Sequence, residues 1–263
     1  MSVLDVTRTD GVATLVMSRP ACKNAFNSDM CTAMLDALSD IRRDADIRAV
    51  VLTGAGDDFC AGGDVDVMSR NDRDASQMCT RMSELNQLPA AFAGLERPLI
   101  AAVDGVAYGA GFSLALMADF IVASDRARFC MVFSRIGAVP DLGATWTLPR
   151  VVGVQKAKEL IYSAREVSAA EALKLGIALE VLPVDSYRAR ALELAQSMAN
   201  LSGTTFAMTR RLLDHSLSNS LHSQLGEEAN AQAIAVTSSY LKDATGRFMR
   251  KQPLLYRWPQ RNS

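Results

Sequence analysis

Two glycine-rich turns carry the backbone groups best suited to chemistry. The first, Phe59-Cys60-Ala61-Gly62-Gly63-Asp64, follows the apolar run Val50-Val51-Leu52-Thr53-Gly54 and its loop. Paired glycines let a backbone turn tightly, approach a ligand closely and leave N–H groups aimed at an anion. The same residues also fit a plain tight loop whose Asp64 caps the next helix. The second turn runs from Val103 through Gly105, Gly109 and Gly111 to Leu114, from a strand end into an apolar helix. Unpaired N–H donors in the first turn of a helix suit an oxygen that is gaining negative charge. Small residues at such a junction equally allow close helix–strand packing. Taken together, two loops that each offer one backbone N–H can form an oxyanion hole for a carbonyl becoming an enolate or a tetrahedral oxyanion. One such donor is typically worth roughly 3–4 kcal/mol of transition-state stabilisation.

Other chemistries find little support. The glycine spacing at 105, 109 and 111 is not that of a dinucleotide fingerprint. The two histidines, His215 and His222, lie in a helical tail, which disfavours a Ser-His-Asp hydrolase or a histidine metal site. Cys22, Cys31, Cys60, Cys79 and Cys130 form no CxxC pair and read as reduced thiols of a cytoplasmic protein, without disulfides or zinc. The twelve methionines suit a core or the wall of an apolar pocket.

A net charge of −1, with 49% apolar and 22% charged residues, describes a globular chain without the basic surface that nucleic acid or an anionic membrane requires. The longest apolar stretch, Val106 to Ala118, is too short to span a bilayer as a helix, and MSVLDVTRTD lacks the pattern of a signal peptide. A cytoplasmic protein with neither nucleic-acid nor membrane partner is expected, and any anion site must be local.

The elements that must position these turns alternate between two periodicities. Strand-like runs at Val12–Ser18, Arg48–Gly54, Pro98–Asp104 and Phe120–Ala123 are separated by helical patterns from about Asn27, across Ala75–Leu95 and from about Ala110. This predicts an α/β core. Asn27 is placed as an N-cap, and Ser168 with Glu171 matches a capping box ahead of a helix that Gly176 ends. From about Ala144 the β signal is confined to Ala178–Leu182 and the rest reads as successive helices through Met249. We expect residues 1–200 to form the core and 201–263 a helical C-terminal region packed on it.

With these elements in place, the chain resembles the enoyl-CoA hydratase/isomerase (crotonase) family. Met17-Ser18-Arg19-Pro20 with Asn24-Ala25-Phe26 resembles the family's opening motif, Phe59 to Asp64 its first oxyanion loop and Gly105 to Leu114 its second. The match continues through Ala127-Arg128-Phe129, Ile136-Gly137, Pro140-Asp141, Gly143 to Gly153 and Ser168 to Ala172. It closes at Phe248, Arg250-Lys251 and Pro253, so the resemblance covers nearly the whole chain.

The resemblance implies a crotonase-like spiral of ββα turns, a helical C-terminal trimerisation region, and a homotrimer or hexamer. It implies an acyl-coenzyme A thioester as substrate, with no permanently bound cofactor and no metal. Oxyanion donors would be the N–H groups of Gly63 and Ala110. Lys23, Asn24, Ala25, Ala61, Gly62 and Asp64 would line the coenzyme A channel, with Phe133 on the acyl side and Arg250 or Lys251 near a coenzyme A phosphate. Tyr108 and Trp146 would line the acyl pocket or lie in the core.

This sequence also departs from the family's hydratases, which hold a water between two glutamates. Those positions are Ser113 and Phe133 here, and neither can accept and return a proton as a carboxylate does. Asp141 remains. The Pro140-Asp141-Leu142-Gly143 stretch is a common turn, yet branches of the family that are not simple hydratases carry a catalytic aspartate there. The run Phe133 to Gly137 leading to Asp141 looks most like the phenylacetate-degradation isomerases. The resemblance therefore implies an enoyl-CoA or ring-epoxide acyl-CoA isomerase using one aspartate. A hydratase and a catalytically silent acyl-CoA binder are the alternatives.

Overall fold

Strands whose residues alternate between two apolar faces make up the centre of this protein. The computed structural model describes residues 2–64, 69 and 74–260. A six-stranded sheet has the order β1 (Leu4–Thr9), β2 (Val12–Met17), β3 (Ala49–Gly54), β4 (Leu99–Val103), β6 (Phe120–Ser124), β9 (Glu180–Leu182). Only β1 and β2 pair antiparallel; the rest are parallel. In β3 and β4, Val50, Leu52, Leu99, Ala101 and Val103 join one core, while Ala49, Val51, Ile100 and Ala102 join another on the opposite face. Parallel strands buried on both faces read as continuous apolar runs, which is what the sequence of β3 shows.

Helices supply the two cover layers. In α1 (Ser28–Arg43) the side chain of Asn27 accepts the Met30 N–H at 2.9 Å, as expected of an N-cap, and Met30, Met34, Leu38 and Ile41 form the buried stripe. On the other face Tyr187, Ala191, Leu194, Ala195 and Met198 of one later helix, Tyr187–Met198, pack against β3, β4 and β6. Thus Leu194, Ala195 and Met198 belong to the core of this one chain.

The spiral comes from a second, three-stranded sheet: β5 (Val106–Tyr108), β7 (Arg128–Cys130) and β8 (Val167–Ser168). After β4 the chain turns at Asp104-Gly105 into β5, and after β6 it turns into β7. Because β4 pairs with β6 and β5 with β7, successive ββ units stack one strand apart. The corners are stapled by charge: Arg126 bonds Asp104 at 2.6 Å and Asp57 at 2.9 Å, and the Ser124 hydroxyl donates to Asp104.

Several sequence expectations need correction. The edge strand β1 and the short strands β5, β7 and β8 were not expected; β1 exposes all residues after Leu4, and runs of two or three residues are too short to show a period of two. The Ala75–Leu95 pattern is two helices, α2 (Ala75–Leu85) and α3 (Gln87–Ala93), parted at Asn86. The Ser168 hydroxyl accepts the Glu171 N–H, but the Glu171 carboxylate bonds Arg165 rather than closing the box.

The remaining helices are α4 (Ala110–Ala115), α5 (Ala144–Val152), α6 (Val154–Ser163), α7 (Ala169–Lys174), α8 (Tyr187–Met198), α9 (Gly203–His215), α10 (Leu221–Val236) and α11 (Ser239–Met249). Among the described residues no helix is long and apolar enough to cross a membrane and no cluster of side chains could hold a metal. All five thiols are free, and burial pushes Cys60 up to about 12.

Candidate active site

The two glycine-rich turns meet because the first runs as an extra strand along β5. Phe59 N–H donates to the Asp104 carbonyl at 2.8 Å, Cys60 N–H to Val106 at 2.9 Å, and Tyr108 N–H back to Cys60 at 2.9 Å. Past Cys60 the loop lies beside residues 23–26. Ala61 N–H donates to Lys23, Phe26 N–H to the Gly62 carbonyl at 2.7 Å, and Asp64 N–H to the Phe26 carbonyl at 2.9 Å. In a parallel bridge one residue bonds the neighbours of its partner, so Phe26 uses Gly62 and Asp64 and leaves the Gly63 N–H facing the other way. That N–H has no acceptor among the described residues.

On the opposite side, Ala110 opens α4. Its N–H belongs to the first helical turn, which has no intrahelical acceptor, and none is supplied from elsewhere among the described residues. Two glycines permit the approach of the loops. A Cβ on Gly111 would lie 2.2 Å from the Cys60 carbonyl oxygen. At Gly62, where φ is +103°, a Cβ would lie 2.9 Å from the Tyr108 carbonyl oxygen and 3.7 Å from the Ala110 nitrogen.

Gly63 and Ala110 border a cavity of about 110 Å³ that also holds Asp141. Among the described residues its other walls are Phe26, Asn27, Asp64, Met78, Arg81, Met82, Leu85 and Leu142. Asp141 does sit in a turn, since its carbonyl accepts the Ala144 N–H at 3.0 Å, but its buried Oδ1 has no hydrogen-bond partner. Burial pushes its carboxyl from an ordinary 3.8 up to about 6, opposed only by its own backbone N–H. A carboxyl of that kind, beside two unpaired amide donors, can take a proton from a carbon next to a carbonyl and return it.

The other sequence-derived residues divide. Asp64 lines the cavity and is held by Arg19 at 2.8 Å; the helix it was expected to cap would begin outside the described residues. Lys23 is exposed and lies 3.6 Å from Asp58. Ala25, Ala61 and Gly62 form the backbone frame around Gly63.

Asn24 has a structural part. It is fully buried, accepting the Arg19 N–H at 2.9 Å and donating to the carbonyls of Ala55 at 2.9 Å and Asp58 at 2.7 Å. Its side chain braces the first loop. Phe133 is not a cavity wall: it is buried behind Gly109, within 3.7 Å of where a Cβ there would sit. The Ser113 hydroxyl, fully buried, donates to the Gly109 carbonyl at 3.1 Å. Tyr108 bonds Glu166, and Trp146 is half exposed under the Arg150 guanidinium, so neither lines the cavity. Arg250 and Lys251 end α11 and are also absent from the cavity walls among the described residues.

Sequence reasoning missed Arg81. The available signal was its position on the stripe Met78, Met82 and Leu85, where an apolar side chain is the rule.

Comparison with known proteins places the chain in a family. The enoyl-CoA hydratase/isomerase family model matches residues 7–258. The chain is 34% identical over 249 residues to the 1,2-epoxyphenylacetyl-CoA isomerase of Escherichia coli, covering 92% of this chain and 93% of that protein. It is 32% identical over 252 residues to the 2,3-dehydroadipyl-CoA hydratase of the same organism, covering 96% and 97%. A crystal structure of an enoyl-CoA hydratase/isomerase from Cupriavidus metallidurans superposes with a TM-score of 0.96 at 39% identity, over 100% of this chain and 99% of that one. The fold is thus the crotonase fold, and the chain belongs to the enoyl-CoA hydratase/isomerase family.

Proposed function

We propose that this enzyme isomerises an acyl-coenzyme A thioester through an enolate, with Asp141 as its sole proton carrier. The observation that carries the reading is a buried carboxyl, unpartnered at Oδ1, beside the unpaired Gly63 and Ala110 N–H groups. With a 3-enoyl thioester, the Asp141 carboxylate removes a proton from the α-carbon, and the electron pair moves into a dienolate whose oxygen accepts both N–H bonds. The resulting carboxylic acid protonates the γ-carbon, giving the 2-enoyl thioester. One carboxyl suffices for that shuttle, whereas addition of water needs a second group to hold the nucleophile.

Hydratases among the relatives motivate the rival reading. Against it, Ser113 is fully buried and bonded to backbone, and Phe133 is buried and apolar. Coenzyme A would lie over the frame of Lys23, Ala25 and Ala61 beside Asp64. The apolar groove of Leu201, Phe206, Leu241, Phe248 and Tyr256, with Leu213, Leu217 and Met249 exposed nearby, supports assembly of copies through α9–α11 into a trimer or hexamer. Sedimentation of a monomer at micromolar concentration would sink that assignment. The reaction is tested by incubating the protein with 3-enoyl-CoA and 2-enoyl-CoA. Interconversion of the two supports the isomerase, accumulation of 3-hydroxyacyl-CoA the hydratase, and retained binding without product the silent binder.

A further inference from the structure

We infer that Arg81 selects an acyl group that ends in a carboxylate, so that the preferred substrates are ω-carboxyacyl thioesters. This deepens the acyl-thioester reading of the cavity and rests on it. Arg81 lies on α2 between Met78 and Met82, with Leu85 one turn further on, and all four side chains line the cavity that holds Asp141. Residues spaced in this way share one helix face, so a guanidinium sits in an otherwise apolar stripe turned toward the substrate site. It is half-buried and makes no hydrogen bond or ion pair among the described residues. The other arginines near the site are committed: Arg19 holds Asp64 at 2.8 Å, and Arg126 holds Asp104 at 2.6 Å.

Arg81 lines the cavity together with Phe26 and Asn27 at the start of α1. Burial raises the Cys31 thiol of α1, and Arg81 is close enough to lower it in part. No arginine offsets the burial of Asp141. Arg81 and Asp141 line the same cavity from different elements, so an acyl chain whose carbonyl meets Gly63 and Ala110 would run along the α2 stripe that carries Arg81. Met78, Met82, Leu85 and Phe26 can cover the methylenes in between. The planar fork of a guanidinium on an apolar wall matches a carboxylate through two parallel hydrogen bonds. An aromatic acyl group stacked on the guanidinium is the rival occupant.

The test is calorimetric titration of the full chain with three saturated thioesters, hexanoyl-CoA, adipyl-CoA and phenylacetyl-CoA, on wild type, R81M and R81K. Wild type should bind adipyl-CoA at least about tenfold more tightly than hexanoyl-CoA. R81M, which continues the methionine stripe, should bring that ratio to within about twofold of one, and R81K should keep part of it. A loss of folding alone would weaken all ligands together and leave the ratio unmoved. A wild-type ratio near one, a ratio unchanged in an R81M protein that still binds hexanoyl-CoA as wild type does, or an R81M loss confined to phenylacetyl-CoA would overturn the inference. Failure of every thioester to bind would remove both the acyl-thioester reading and the inference. A retained adipyl preference without any isomerisation would overturn only the reaction.

Discussion

Replacing Asp141 by asparagine should change the pH dependence of stability in a direction opposite to that of a salt-bridged carboxylate. The carboxyl is held at about 6 in the folded protein against an ordinary 3.8, because burial disfavours its charge and Oδ1 has no hydrogen-bond donor. The folded state therefore binds this proton more tightly than the unfolded chain does. Below pH 3.8 both states are protonated and Asp141 carries no electrostatic penalty; as pH rises through the interval the folded state pays increasingly to ionise. Above pH 6 the penalty is complete, at about 3 kcal/mol for a difference of about two pH units. Roughly half of it is already present at pH 5, so wild type should lose about 1.5 kcal/mol relative to D141N between pH 5 and pH 8. A constant offset from burying an amide shifts both points equally and leaves this difference intact. Urea unfolding of both proteins at equal protomer concentration, across that range, reads it directly. A pH-independent difference, or one that shrinks as pH rises, would refute the claim that Asp141 is buried without a compensating partner.

Further outcomes follow from the same contacts. If Asp141 must be ionised to act, kcat/KM for isomerisation should fall on the acid side with an apparent pKa of about 6, and a profile flat from pH 5 to 8 would contradict this. Gly111→Ala places a Cβ 2.2 Å from the Cys60 carbonyl oxygen and should spread the two donor loops; kcat should drop about a hundredfold or more, as for loss of one oxyanion donor. Asn24→Ala removes three hydrogen bonds of 2.7–2.9 Å made by a buried side chain and should cost about 3 kcal/mol in urea unfolding. Arg190→Met removes the guanidinium that pairs at 3.0 Å with the Glu180 carboxylate, both partners being buried, and should destabilise by about 3 kcal/mol.

Features whose cause is local were legible in the sequence. Asn27 caps a helix by bonding three residues on, and Gly62 and Gly111 are required by atoms that any side chain would strike. The glycine-rich turns therefore mark both loops in the sequence itself. The role of Asn24 was not legible, because two of its partners are backbone carbonyls 31 and 34 residues away, brought near only by the spiral. The surroundings of Phe133 were not legible for a similar reason. Its position in the motif did not reveal that a 3-10 turn at Val132–Ile136 directs the ring behind Gly109. Arg81 stood out only once α2 had been laid against Phe26 and Asn27, which turned an irregular helical stripe into the wall of a cavity.

The central claim is that one carboxyl moves the proton while two backbone amides hold the enolate. It is tested most directly by measuring D141N turnover on a 3-enoyl thioester that wild type isomerises, together with its affinity for the saturated analogue. The account predicts that turnover falls by at least about a thousandfold while the affinity stays within a few-fold of wild type. Wild-type turnover in D141N would contradict it and return Asp141 to the part of a turn residue.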